Sequence, residues 1–151
     1  MLFRSVVRFN GGPNAGHTIV VNGEKYSFHN LPSAMFSANP PQTLVLAGGM
    51  VANPVSLAEE IIKYKNNIKD LVISDRIHCI MPWHVQEDLA KSKDKIGTTG
   101  KGVGPCYADK ASRVRAVRMK DLEKAVTNND MQPDDKQKYQ DAFDEIGRAH
   151  V

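Results

Sequence analysis

Val6-Val7-Arg8-Phe9-Asn10-Gly11-Gly12-Pro13-Asn14-Ala15-Gly16-His17-Thr18 is the stretch that decides the fold. Its first four residues read as a short buried strand. Two glycines, an amide, a third glycine, an imidazole and a hydroxyl follow. An open α/β sheet takes its ligand just past the carboxyl end of a strand. Glycine lets backbone approach an anionic group closely, and His17 is the side chain here able to exchange a proton near neutral pH. The stretch predicts a phosphate-handling loop with an acid–base group at its tip.

A second loop has the same chemistry. Ile96-Gly97-Thr98-Thr99-Gly100-Lys101-Gly102-Val103-Gly104-Pro105 carries four glycines, two adjacent hydroxyls and a lysine. Successive backbone N–H groups and threonine hydroxyls can form an anion-binding nest, and Lys101 adds a point charge. Either loop alone reads equally well as a flexible turn. Two in one chain favour the ligand reading.

Outward from the loops, strands alternate with helices. Thr18–Val21 is a β-branched run. Asn22-Gly23 is the strongest two-residue hairpin signal, so Tyr26–His29 should pair back. Thr43–Ala47 is a further strand that ends at Gly48-Gly49, and Leu71–Ser74 another. Asn53-Pro54 opens a helix with Leu57, Ile61, Ile62 and Lys65 on one face and Glu59 and Glu60 near its start. Pro82–Lys93 reads as a helix with Val85, Leu89 and Ala90 inward. Met119–Val126 and Asp134–Phe143 read as two more. The pattern predicts an α/β fold with a mainly parallel sheet flanked by helices and a β-hairpin near the N-terminus. A strand so close to the start also predicts unpaired sheet edges.

With 151 residues the chain can bury a real core. Its 41% hydrophobic and 25% charged content is that of an ordinary globular protein. A net charge of +3, without a basic stripe interleaved with aromatics, argues against a nucleic-acid partner. No apolar run approaches the roughly 20 residues of a membrane helix. Cys79 and Cys106 make no disulfide framework and suit a reducing, cytoplasmic setting. His78, Cys79 and His84 lack an evident fourth ligand for zinc. Lys91, Lys93, Asp94 and Lys95 read as a solvated helix end, Cys106 as a small buried side chain, and Trp83 as a packing residue.

With both loops in view, the chain resembles the adenylosuccinate synthetases. The resemblance rests on Val6–Thr18, Asn22-Gly23-Glu24-Lys25, His29-Asn30-Leu31-Pro32-Ser33, Ile96–Pro105 and Tyr107-Ala108-Asp109-Lys110-Ala111-Ser112-Arg113, and fades beyond Leu122. It implies a P-loop-NTPase-like fold and a ligase of purine (AMP) biosynthesis. That enzyme joins IMP and L-aspartate with GTP as co-substrate and Mg2+ as cofactor, releasing GDP and phosphate. The purine six-oxygen is phosphorylated first, and the aspartate amine then displaces the phosphate. Carried onto this sequence, Asn14, Ala15, Gly16 and His17 lie along IMP and the transferred phosphoryl group. The resemblance implies that His17 is the catalytic acid and that the Gly16 carbonyl is a magnesium ligand. Gly16, His17 and Thr18 adjoin the GTP phosphates. Thr99 contacts the IMP 5′-phosphate, and Arg113 reaches the same phosphate across a homodimer.

Some features depart from that pattern. Ala47-Gly48-Gly49 replaces a glycine–asparagine–glycine turn. Arg113-Val114-Arg115-Ala116-Val117-Arg118 lacks a glycine and is one residue longer, so Arg113 and Arg115 both remain candidates for the phosphate. The family's N-terminal glycine-rich loop, with its catalytic aspartate and a lysine, finds no counterpart before Val6, nor do the later guanine- and aspartate-binding segments. Residues 1–151 are therefore expected to be one partial domain, inactive alone. Residues 1–5 and 146–151 match peptides encoded by common sequencing adapters and are expected to be non-native ends. Two other readings compete: a non-catalytic nucleotide-binding module, and a phage-type synthetase making 2-aminoadenylosuccinate. The trio Asn14, Gly16 and His17 counts against the first, and the Gly97–Gly102 loop against the second.

Overall fold

A computed structural model describes residues 4–91, 97–128 and 131–148. In the first half of the chain lie β1 (Ser5–Arg8), β2 (His17–Val21), β3 (Glu24–Phe28), β4 (Thr43–Leu46), β5 (Val51–Ala52) and α1 (Pro54–Tyr64). β6 (Leu71–Ile73), β7 (His78–Cys79), α2 (Pro82–Lys91), α3 (Val103–Ser112), α4 (Leu122–Asn128) and α5 (Pro133–Arg148) follow.

The main sheet is parallel, in the order β1-β4-β6. Its register aligns Val6, Leu44 and Leu71 in one row, and Arg8, Leu46 and Ile73 two residues on. Side chains alternate across a strand, so these rows share a face, and their β4 and β6 members form the core floor. The intervening row, Val7, Val45 and Val72, points the other way, with Val7 52% and Val72 40% exposed. After a turn at Ala47–Met50 the path of β4 resumes as β5, which pairs in parallel with β7. The segment around Arg118 then bridges to His78.

The hairpin β2–β3 turns at Asn22 and Gly23, whose φ values of 51° and 82° are both left-handed. A right-twisted hairpin closes in this geometry, and Asn-Gly adopts it at least cost. Its inner side carries Phe28, which stacks near Tyr64 (centroids 4.8 Å apart) and Phe36 (5.6 Å). Asn53 caps α1, its Oδ1 accepting from the N–H groups of Val55 and Ser56 at 3.0 and 3.2 Å. Leu57, Ile61 and Tyr64 of α1 belong to one core with Tyr139, Ala142 and Ile146 of α5.

Several helical faces differ from the sequence reading. Ile62 is 53% exposed and Lys65 lies in a 3-10 turn beyond α1, while Glu60 is buried mid-helix rather than serving the helix start. On α2 the buried residues are His84 and Asp88; Leu89 and Ala90 face solvent and Val85 is half-buried. Hydrogen bonding, not apolar burial, fixes that face. His29 lies just past β3. α3, not anticipated, starts within the second glycine loop. Residues 119–121 form a 3-10 turn before α4, and α5 runs past Phe143 to Arg148. The anticipated end of α2 at Lys93 and the charge run through Lys95 lie outside the described residues.

Candidate active site

The first glycine loop leaves β1 and is held from three sides. Arg8, an inward-facing cation in an apolar strand, donates from Nη1 to the carbonyls of His29 (2.6 Å) and Asn30 (2.9 Å), and from Nη2 to that of Gly12 (3.0 Å). Burial lowers its pKa, with Glu60 opposing the shift. An arginine keeps its charge nonetheless. From α3, the Tyr107 hydroxyl accepts the N–H of Gly11 at 3.1 Å and lies 3.2 and 3.1 Å from the carbonyls of Gly11 and Gly49. Lys101 donates to the carbonyl of Pro13 at 3.0 Å, which ties the two loops together. Packing is close: a Cβ on Gly12 would come within 2.9 Å of Val51 and 3.1 Å of Val103.

Glu60 of α1 holds the neighbouring segment. Its carboxylate accepts from the N–H groups of His29, Asn30 and Leu31 at 2.6 to 3.1 Å. This sets the His29 ring against the first loop, where a Cβ on Gly16 would meet Nε2 at 3.0 Å. A cavity of about 650 Å3 opens beside it, lined by Pro13, His29, Asn53, Ser56, Gly100 and Lys101.

The second loop is organised from α2. Asp88 and the backbone of Gly100 and Gly102 (φ 64° and 75°) fold it into a tight bend. A Cβ on Gly102 would reach 2.8 Å from the Val85 nitrogen, and one on Gly100 would reach 2.7 Å from Leu89. The His84 Nδ1 accepts the Met81 N–H at 2.9 Å, so the neutral ring carries its proton on Nε2, 3.1 Å from Asp109 of α3. Burial lowers the His84 pKa, opposed by Asp109.

The anticipated residues fall as follows. Asn14, Ala15, Gly16 and His17 are exposed on the first loop, and His17 opens β2. The His17 ring stacks on Phe28 at 5.3 Å and faces a cleft with Phe9, Asn10, Gly11, Leu31 and Ser33. It does not share the cavity of Gly100 and Lys101. The Thr18 hydroxyl pairs with Ser27 across the hairpin at 3.0 Å. Thr99 is exposed and makes no hydrogen bond among the described residues, whereas Thr98 is bound to Asp88. Arg113 and Arg115 are both left-handed (φ 62° and 52°). Arg115 is committed to Glu87 (3.2 Å) and Asp109 (3.4 Å); Arg113 has no ion pair among the described residues. Cys106 is buried, its thiol pushed up to about 12 by burial. Trp83 packs partly buried against the core.

Magnesium needs several hard oxygens. Gly16 offers a single backbone carbonyl, and no group of three His, Cys, Asp or Glu converges anywhere among the described residues. These residues do not by themselves build a magnesium site.

Sequence reasoning missed Arg8, Glu60, Asp88 and Tyr107 as supports of the loops. A lone arginine in an apolar strand and a carboxylate one turn after His84 were the available signals.

A glycine loop at the end of a parallel strand, locked beside a second one that launches a helix, defines an open-sheet α/β protein with a ligand crevice at its strand ends. The chain belongs to the adenylosuccinate synthetase family, whose model matches residues 2–148, well past the point at Leu122 where the motifs fade. Curated adenylosuccinate synthetases from Lysinibacillus sphaericus and Borrelia turicatae are 44% and 48% identical over 125 residues. That is 78% of this chain but only 28% and 29% of theirs, so the chain spans under a third of these relatives. The structure of fully ligated adenylosuccinate synthetase from Plasmodium falciparum superposes with a TM-score of 0.78 at 30% identity, over 99% of this chain and 40% of that one. Cyanophage S-2L succinoaminodeoxyadenylate synthetase, bound to dGMP and dATP, shares the fold (TM-score 0.67, 20% identity, 97% and 41% covered).

Proposed function

We propose that this chain is part of an adenylosuccinate synthetase that joins IMP and L-aspartate, with GTP as co-substrate, in a C–N bond-forming step of AMP biosynthesis. The observation that carries the reading is the pair of interlocked glycine loops, which put Asn14, Gly16 and His17 on one exposed turn and Thr99 on its neighbour. His17 acts as the acid, donating to oxygen as negative charge builds on the six-oxygen and the phosphoryl group. Phe28 stacking and the start of β2 orient its ring. Asn14 and Ala15 line IMP, and Gly16 and Thr18 adjoin the GTP phosphates. Magnesium, when bound, would screen phosphate charge, with the Gly16 carbonyl as one of its ligands.

Thr99 contacts the IMP 5′-phosphate. For the arginine, the geometry favours Arg113 over Arg115, because Arg115 is already paired at home. A guanidinium fork suits a phosphate from a homodimer partner. No helix among the described residues is long and apolar enough to cross a membrane; the cytoplasmic setting rests on the family reading alone.

Replacing His17 with Asn in the full-length parent protein should lower kcat for adenylosuccinate formation about 10²–10⁴-fold while leaving the fold intact. The purified 151-residue chain should form no adenylosuccinate. Unchanged turnover in H17N would overturn the acid role of His17, and product from the short chain would overturn its expected inactivity while upholding the reaction.

A further inference from the structure

We propose that Asp88 is the positioning residue of the second glycine loop, holding Thr99 ready for the substrate phosphate. The proposal rests on the functional reading above for the identity of that phosphate, but the loop geometry stands apart from it.

Asp88 lies on α2 one turn after His84 and is buried. Its Oδ1 accepts the Thr98 hydroxyl at 2.8 Å, and its Oδ2 accepts the Gly102 N–H at 2.9 Å. The Thr98 oxygen in turn accepts the Gly100 N–H at 2.8 Å. Donors and acceptors balance: the hydroxyl gives one proton and receives one. A single carboxylate thus grips both limbs of the bend, and Thr99 sits between them with its hydroxyl uncommitted among the described residues. The left-handed Gly100 and Gly102 allow the bend but do not hold it, because glycine visits many other conformations. What holds it is the carboxylate. One helical turn earlier, His84 binds Asp109 and so fixes α3, the helix the loop leads into. α2 therefore clamps the loop and its helix as one unit. An amide at position 88 accepts at one atom only, and its nitrogen would face a donor.

The test uses the full-length parent with D88N, T98V and T98S. Steady-state kinetics read KM separately for IMP, GTP and aspartate, and backbone hydrogen exchange reads the amides of Gly100 and Gly102. D88N and T98V should each raise KM for IMP about ten-fold, with KM for GTP within about two-fold. Exchange at Gly100 and Gly102 should quicken about ten-fold while amides of β4 stay protected. T98S, which keeps the hydroxyl, should behave as wild type. If D88N fails to fold, T98V carries the same test. Unchanged loop exchange and KM overturn the proposal. So does a uniform rise of all three KM values with loss of β4 protection, which marks general destabilisation. A parent that ignores IMP while D88N still frees the loop amides defeats the functional reading and leaves the positioning role standing.

Discussion

Gly49 shows how much a missing methyl group can decide. A Cβ there would overlap the carbonyl oxygen of Phe9, where the turn after β4 passes over the first loop. Of the Ala47-Gly48-Gly49 turn, this last glycine is the most tightly enclosed, while a Cβ on Gly48 would come within 3.0 Å of the Arg76 Cβ. Gly49→Ala should cost about 1–3 kcal/mol through overpacking, read as a lower urea midpoint at unchanged m. Arg113 carries the opposite sign. A left-handed φ of 62° strains any residue with a Cβ. Arg113→Gly should stabilise this chain by about 0.5 kcal/mol, the relief outweighing the added freedom of the unfolded chain. The phosphate role proposed for Arg113 predicts that the same change in the full-length protein weakens IMP binding, so stability and function would move apart.

At the scale of elements, α2 is the helix whose inward face is polar, and that makes its stability sensitive to pH. The His84 pKa lies below its ordinary 6.5 because burial disfavours the charged ring, with Arg115 adding to the shift and Asp109 and Glu87 opposing it. The partly buried His78 is lowered likewise, through burial and Lys110. The unfolded chain therefore takes up protons first. Stability is full above pH 6.5 and falls as pH drops from there through the folded values. Melting temperatures at pH 7.5 and 5.5 should show the decline, and His84→Asn should shrink it while keeping an acceptor for the Met81 N–H. A flat profile in the wild type would contradict the burial argument. Glu60 stakes more on one group. Glu60→Ala leaves the N–H groups of His29, Asn30 and Leu31 without their acceptor and should cost about 3 kcal/mol.

The same elements show what the sequence could and could not reveal. β1, the Asn22-Gly23 hairpin, β4, α1 and β6 were legible because local pattern and turn chemistry specify them. α3 was hidden because Gly104 and Pro105 read as turn, although proline is tolerated in a first helical turn. β5 and β7 have two residues each and exist by virtue of pairing with each other. Apolar periodicity misplaced the buried side of α2 because His84 and Asp88 are buried by hydrogen bonds. The glycine loops themselves were plain. Their supports (Arg8, Glu60, Asp88, Tyr107) act across distances of 4 to 96 residues, and no local pattern encodes that.

For the molecule as a whole, the sheet is covered on one face. Val7, Phe9 and Val72 remain open on or beside the other, and among the described residues β1 pairs on one edge only. An open strand edge beside exposed apolar side chains invites association. Sedimentation velocity of the 151-residue chain should show mass rising with concentration, and Val7→Lys should return it toward a monomer. A wild-type chain monomeric at all concentrations would show that this face is tolerated in water.

Tyr107 has a wider consequence. One phenol oxygen meets polar atoms of Gly11 and Gly49 while its ring rides on α3. The turn after β1, the turn after β4 and the helix behind the threonines thus meet at this hydroxyl, and Lys110 of the same helix adds bonds to the carbonyls of Gly48 and Gly49. Whatever molecule settles against one of these surfaces meets a crevice whose walls are tied together at one oxygen.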